Sequence, residues 1–161
     1  MRHRGLSITA LCSRCDFALA ENPRQVSAFN YPRQYGPKSP KFGRAGSVVT
    51  RSQRLHLISG TAAIVGHESM HPGDTQAQLD ETLRNLDTLC ESVSEIDRAG
   101  PKLELDERSV LRVYLRAPDD YPVIARSLKE RLGLGPDQVV FLQGDICRRE
   151  LMLEIDGVRI Q

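Results

Sequence analysis

The chain has 161 residues, 40% hydrophobic and 27% charged, with four Cys and no Trp, the size and make-up of one soluble globular domain. Its longest uncharged apolar run falls far short of the roughly 20 residues that a membrane span needs, which excludes a transmembrane helix. The net charge of +1 hides an asymmetry: residues 1–54 set ten basic side chains against Asp16 and Glu21, leaving 12 of the 22 basic and 19 of the 21 acidic residues for the remainder. A basic, Pro-bearing arm therefore precedes an acidic domain. Aromatic residues do not interleave with the Lys and Arg as in a stacking platform, so a small anionic ligand is expected rather than nucleic acid.

Within the first twenty residues, Arg2 and Arg4 precede an apolar stretch and Ala18-Leu19-Ala20 has the look of a cleavage site. Arg14 and Asp16 interrupt that stretch, so no secretory signal is expected. Cys12 and Cys15 form a single CxxC without a second pair or a suitably spaced His, a weak metal signal. Unpatterned cysteines suit a reducing cytoplasm. Residues 1–26 are expected to be poorly ordered or a remnant of a missing N-terminal domain, and residues 27–53 to form an arm contributing to a pocket. From Glu21 to Ser47 the chain is turn-rich, with Pro23, Pro32, Pro37 and Pro40 among Gly36, Gly43 and Gly46, and must lie on something else to be ordered.

Residues 54–161 carry the regular pattern. Leu55 to Val65 reads as a strand with a bulge or close ligand approach at Gly60, followed by a loop from Gly66 to Gly73. Asp74 or Thr75 caps a helix, with Gln78 placed for a capping box. Leu79, Leu83, Leu86, Cys90, Val93 and Asp97 follow helical spacing along its buried stripe. Ser109 to Leu115 is a strand. Asp119 or Asp120 caps a second helix with Pro122 in its first turn, a stripe of Val123, Ile124, Leu128 and Leu132, and Gly133 as its stop. Strands follow over Gln138–Leu142 and Leu151–Ile160. The order β-α-β-α-β-β predicts an α+β fold, a mixed β-sheet with two helices packed on one face. The arm adds one or two edge strands, and the uncovered face predicts oligomerisation in a closed ring.

The last strand carries the sharpest chemical signal. Alternation puts Leu151, Leu153 and Ile155 on one face and Glu150, Met152, Glu154 and Asp156 on the other. Such a carboxylate row is either a solvated face or holds an acid shielded from water and able to deliver a proton near neutrality. Glu154 is central to the row, downstream of Arg148 and Arg149, which suits an anionic substrate that must be protonated. Cys147 reads either as a thiolate activated by adjacent Arg or, with no His/Asn pair beside it, as a pocket wall. His67, His71, Glu68 and Asp74 lack metal-ligand spacing, and no metal is expected. Tyr31-Pro32-Arg33-Gln34-Tyr35-Gly36 is either an arm pinned by its aromatics or a ligand clamp in which Arg33 binds a carboxylate and the tyrosines donate.

Three blocks in order resemble the chorismatases: Ser27 to Pro37 with Ser39-Pro40 and Phe42; Ser59 to Ser69 with Gly73-Asp74; and Gln143 to Ile155, together with the helix bearing Gln78, Glu81, Thr82 and Asn85. The resemblance implies a RidA (YjgF)-like, chorismate-mutase-like fold closed into a trimeric barrel, without cofactor. It implies an enzyme that splits chorismate into pyruvate and a ring product, with Glu154 protonating the enol ether. Gly60 and Cys147 would stand at the two positions that separate product types, a pairing that looks like the 3-hydroxybenzoate type rather than the 4-hydroxybenzoate or dihydroxycyclohexadiene types. Tyr31, Arg33, Tyr35 and Arg148 would bind substrate. Chorismatases are much longer, with a degenerate RidA-like domain ahead of the arm. RidA-like imine deaminases, the second enzyme class considered, carry an Arg fifteen residues before the terminal-strand Glu, where this chain has Val139. The third reading is an inactive RidA-like trimer that binds a small ligand.

Overall fold

The computed structural model describes Arg14, residues 17–97, Gly100 and residues 102–161; the Cys12/Cys15 pair lies outside them. In chain order the elements are β1 (Phe17–Ala20), β2 (Ala45–Val49), β3 (Arg54–Thr61), β4 (Ile64–Val65), β5 (Glu68–Ser69), α1 (Thr75–Ile96), β6 (Ser109–Leu115), α2 (Tyr121–Leu132), β7 (Val139–Gln143) and β8 (Leu153–Ile160). Six strands form one sheet in the order β1-β2-β3-β8-β6-β7, while β4 and β5 make a separate hairpin. Every neighbouring pair in the sheet is antiparallel except β6 and β7, which α2 joins as a crossover. Strand β1 lies in the N-terminal segment ahead of the arm, where Ala18 and Ala20 are small enough to pack under the sheet edge and pair with Ser47 and Ala45.

Both helices cover one face. Leu79, Leu83, Leu86, Leu89, Cys90 and Val93 of α1 share a single core with Ile124 and Leu128 of α2 and with Leu111, Val113, Leu153 and Ile155 of the central strands. Asp74 caps α1 by accepting from the Ala77 amide at 2.9 Å. With the cap at Asp74, Gln78 lies one residue too far along for a capping box. Its side chain instead donates to the carbonyls of His71 and Glu150 and accepts from the Met152 amide. Gly133 ends α2 at a φ of 68°, the left-handed cap that its lack of Cβ permits. Val123 is exposed, contrary to expectation, because α2 flanks the outermost strand β7 and only its Ile124, Leu128 and Leu132 row reaches the core.

The strand expected over Leu55–Val65 ends at Thr61. A register shift between Ile58 and Thr61 breaks its pairing with β8, and the chain then leaves the sheet to form β4. Buried Asn85 of α1 fixes that departure by donating to the carbonyls of Ala62 and Ile64, 2.9 Å each. The face away from the helices carries the cross-strand pairs Tyr114/Glu154 and Arg112/Asp156 and leaves Val110, Val140 and Leu142 exposed.

Replacing Asn85 with Leu would take one of two donors from each of the Ala62 and Ile64 carbonyls, leaving the Ile64 amide and Gln25 Nε2, and would strip Arg24 Nη1 of its acceptor. The expected loss is about 2–4 kcal/mol of folding stability, read from the midpoint of urea denaturation against the parent chain.

Candidate active site

Glu154 stands on β8 opposite the bulge of β3, and its carboxyl packs against the backbone of Gly60. A methyl group on Gly60 would meet the Glu154 carboxyl carbon at 2.7 Å and Oε1 closer still. The acid occupies the volume that a side chain at position 60 would fill. Among the described residues the Glu154 carboxyl has no hydrogen-bond partner. Burial pushes its pKa up, and the charge of Asp156 two residues along adds to the shift. Asp156 is itself clamped by Arg112 through two 2.7 Å bonds.

In front of Glu154 opens a cavity of about 430 Å³. Gly60, Ser59, Ala62 and Ile64 form one side, Cys147 and Arg148 another, and Tyr31, Tyr35, Phe42 and Arg44 of the arm a third. The arm is seated on the sheet by the Ser59 hydroxyl and amide, which donate to the carbonyls of Gly43 and Arg44. Arg44 is buried and donates from Nη2 to the Tyr31 hydroxyl at 2.7 Å and the Val26 carbonyl at 3.0 Å. Its guanidinium lies 5.0 Å from the Phe42 ring and 5.5 Å from that of Tyr31. Arg148 stacks at 3.8 Å on Tyr35, with Nη1 donating to the His67 carbonyl and Ser69 Oγ. Among the described residues, each of these two arginines keeps one buried donor without a partner: Nε of Arg44 and Nη2 of Arg148. Buried guanidinium nitrogens are normally satisfied, so both arginines that line the cavity keep unused bonding capacity beside their charge.

Cys147 faces the cavity as a neutral thiol. Burial raises its pKa, the Glu154 charge raises it further, and adjacent Arg148 opposes without prevailing. That direction disfavours an Arg-activated thiolate and favours Cys147 as a wall of the pocket.

Six of the seven expected site residues therefore converge: Glu154, Cys147, Gly60, Tyr31, Tyr35 and Arg148. Arg33 does not. It opens the 3-10 turn Arg33–Tyr35, is exposed, and lies outside the cavity, because the turn points Tyr35 inward and residue 33 away. Arg44 takes the place expected for it. In the sequence Arg44 is one of ten cations in residues 1–54, and only its position just before β2, two residues after Phe42, marks it out. Val139 belongs to the hydrophobic core, so the position of the imine deaminases' Arg supplies no cation here. His67 and His71 go to different partners: His67 Nδ1 lies 3.3 Å from the Tyr35 hydroxyl and His71 Nε2 3.6 Å from Glu81.

Comparison with known proteins gives the same direction. No protein-family model matches the chain. It is 34% identical over 146 residues to 3-hydroxybenzoate synthase of Streptomyces hygroscopicus, covering 86% of this chain and 42% of that protein. It is 36% identical over 142 residues to chorismatase of Streptomyces rapamycinicus, with the same coverage. The chain thus spans less than half the length of these curated relatives, matching their C-terminal half. Among solved structures, a chorismatase superposes with a TM-score of 0.81 at 30% identity, covering 89% of this chain and 44% of that one. The YjgF gene product of E. coli superposes with a TM-score of 0.58 at 13% identity over 98% of its own length, a likeness of fold. The fold is RidA (YjgF)-like.

A raised Glu154 pKa has a definite sign for stability. The folded chain holds that proton to higher pH than the unfolded chain, so this group makes folding stability fall as pH rises from the ordinary carboxyl range through the raised value. Glu154→Gln should flatten that part of the stability-pH curve and stabilise the chain above it. Thermal melting across the interval, parent against variant, checks both.

Proposed function

From the homology of this stretch to the chorismatases, we propose that the chain binds chorismate in the Glu154 cavity and converts it to 3-hydroxybenzoate and pyruvate. The observation that carries the reading is one desolvated, unpartnered acid facing a cavity whose walls hold two guanidinium groups with free donors. Chorismate presents the matching set: two carboxylates and an enol ether that must accept a proton on carbon. Arg44 and Arg148 bind the carboxylates, and Tyr31 and Tyr35 hold the guanidinium planes by stacking.

Glu154, whose hold on its proton burial strengthens, gives that proton to the enol ether methylene. The positive charge develops on the carbon that bears the ether oxygen, where the neighbouring ring hydroxyl or water attacks before pyruvate leaves. The two products are together isomeric with chorismate, so 3-hydroxybenzoate formation consumes no net water, whereas the dihydroxycyclohexadiene route takes up one. Gly60 and Cys147, small groups beside the acid, and the name of the Streptomyces hygroscopicus relative support the 3-hydroxybenzoate outcome. A homotrimer that covers the open sheet face suits the exposed Val110, Val140 and Leu142. The free thiols Cys90 and Cys147 suit a reducing cytoplasm.

The test is pyruvate release from chorismate by the purified chain, with the ring product identified by chromatography. Glu154→Gln should lower kcat by about 10²–10⁴-fold, the usual contribution of a positioned acid. No pyruvate from a folded parent chain overturns the reading. Because the acid works protonated, kcat should fall as pH rises through its pKa. Asp156→Asn removes a nearby negative charge and should move that limb to lower pH, measured as the pH of half-maximal kcat.

A further inference from the structure

Arg116 lies just beyond the end of β6, outside the cavity, and its half-buried guanidinium gathers the loop between β7 and β8. Nε donates to the Leu151 carbonyl at 2.9 Å, and Nη2 donates to the carbonyls of Ile146 at 3.2 Å and Arg148 at 3.0 Å. Nη1 pairs with the exposed Asp145 carboxylate at 2.7 Å. The loop has little other regular bonding. Its backbone is otherwise tied by the Gly144 amide to the Leu115 carbonyl, by the Leu151 amide to the Arg148 carbonyl, and by Gln78 at the Glu150 carbonyl and the Met152 amide. Three carbonyls turned toward one point need a cation with several donors in a fixed fork, which Arg has and Lys lacks. The base of the clamp is firm, since the Arg116 amide donates to the Met152 carbonyl at 2.9 Å.

The loop so held presents Cys147 and Arg148 to the cavity. Glu154 does not depend on it, being fixed by the β8 ladder opposite Tyr114. We propose that Arg116 is the positioning residue of this site, setting where Cys147 and Arg148 stand through the Ile146, Arg148 and Leu151 carbonyls while leaving the Glu154 acid untouched. Its catalytic consequence rests on the chorismate reading; its geometric consequence does not.

Two readouts on the full chain separate these. The first is the rate at which iodoacetamide alkylates Cys147, followed by peptide mass so that the other thiols do not interfere. Arg116→Ala should raise it about tenfold, as one lost charge-assisted bond would allow. Arg116→Lys should raise it less, and Asp145→Asn should leave it unchanged, because an exposed pair contributes little. The second is steady-state kinetics on chorismate: KM should rise about tenfold in Arg116→Ala, with the pH of half-maximal kcat unmoved. A folded Arg116→Ala chain with unchanged Cys147 alkylation overturns the proposal, as does Asp145→Asn reproducing the full effect. If Arg116→Ala does not fold, the same decision falls on Arg116→Lys, for which unchanged alkylation is again the overturning result. A parent chain that leaves chorismate intact would sink the lyase reading, and the alkylation series would still decide the role of Arg116.

Discussion

The site depends on one contact, the carboxyl of Glu154 lying against the bare backbone of Gly60. A strand pair in regular register would put a side chain at position 60 into the same volume. The bulge between Ile58 and Thr61 brings a glycine there instead, and the missing Cβ becomes a seat for the acid. From this one constraint follow the burial that raises the acid's pKa and the departure of the chain at Thr61 that opens the cavity. The adjacent hairpin β4–β5 then supplies Ile64 to one wall and the His67 and Ser69 acceptors to Arg148.

A departure from the sheet must be held, and α1 holds it with a buried polar ridge. Gln78, Glu81, Thr82 and Asn85 are all buried, an unusual set for the inner face of a helix. Each of three reaches a different loop. Gln78 holds Glu150 and Met152, and Asn85 holds Ala62 and Ile64. Glu81 pairs with Arg24 ahead of the arm, with His71 and with Arg84. Burial alone would push the Glu81 carboxyl up, but the hydrogen bonds and charges of these partners hold it below its ordinary value. Its shift is therefore opposite in direction to that of Glu154, although burial pushes both carboxyls up. The difference is whether cations meet the carboxyl.

Much of this was legible in the sequence where periodicity governs. The order of strands and helices, the caps at Asp74 and Gly133, the faces of β8 and the disturbance at Gly60 all follow from spacing of two or 3.6 residues and from glycine's lack of a side chain. What periodicity does not encode is long-range polar contact. Gln78 reads locally as a capping residue, and only the return of the chain at Glu150 makes it a bridge. Arg33 and Arg44 are indistinguishable as charges. A 3-10 turn sends the first outward, while the register of β2 with β3 buries the second. Val123 fails for a related reason: its place in the stripe is correct, but the sheet ends at β7 and leaves it nothing to cover it.

The distribution of arginine partners closes the electrostatic argument. Arg24, Arg54, Arg84, Arg108, Arg112, Arg116, Arg131 and Arg159 each pair with a carboxylate. Arg44 and Arg148, the two that line the cavity, rest on aromatic rings and neutral oxygens. A ring face orients a guanidinium without cancelling its charge, so both keep their attraction for an incoming anion. The one carboxyl in the cavity would be the natural competitor for them. Among the described residues it pairs with neither, and burial raises its pKa, which disfavours the charged form that would neutralise them. The same separation serves both tasks: cations kept apart from the acid still bind a carboxylate, and an acid kept apart from the cations still has a proton to give.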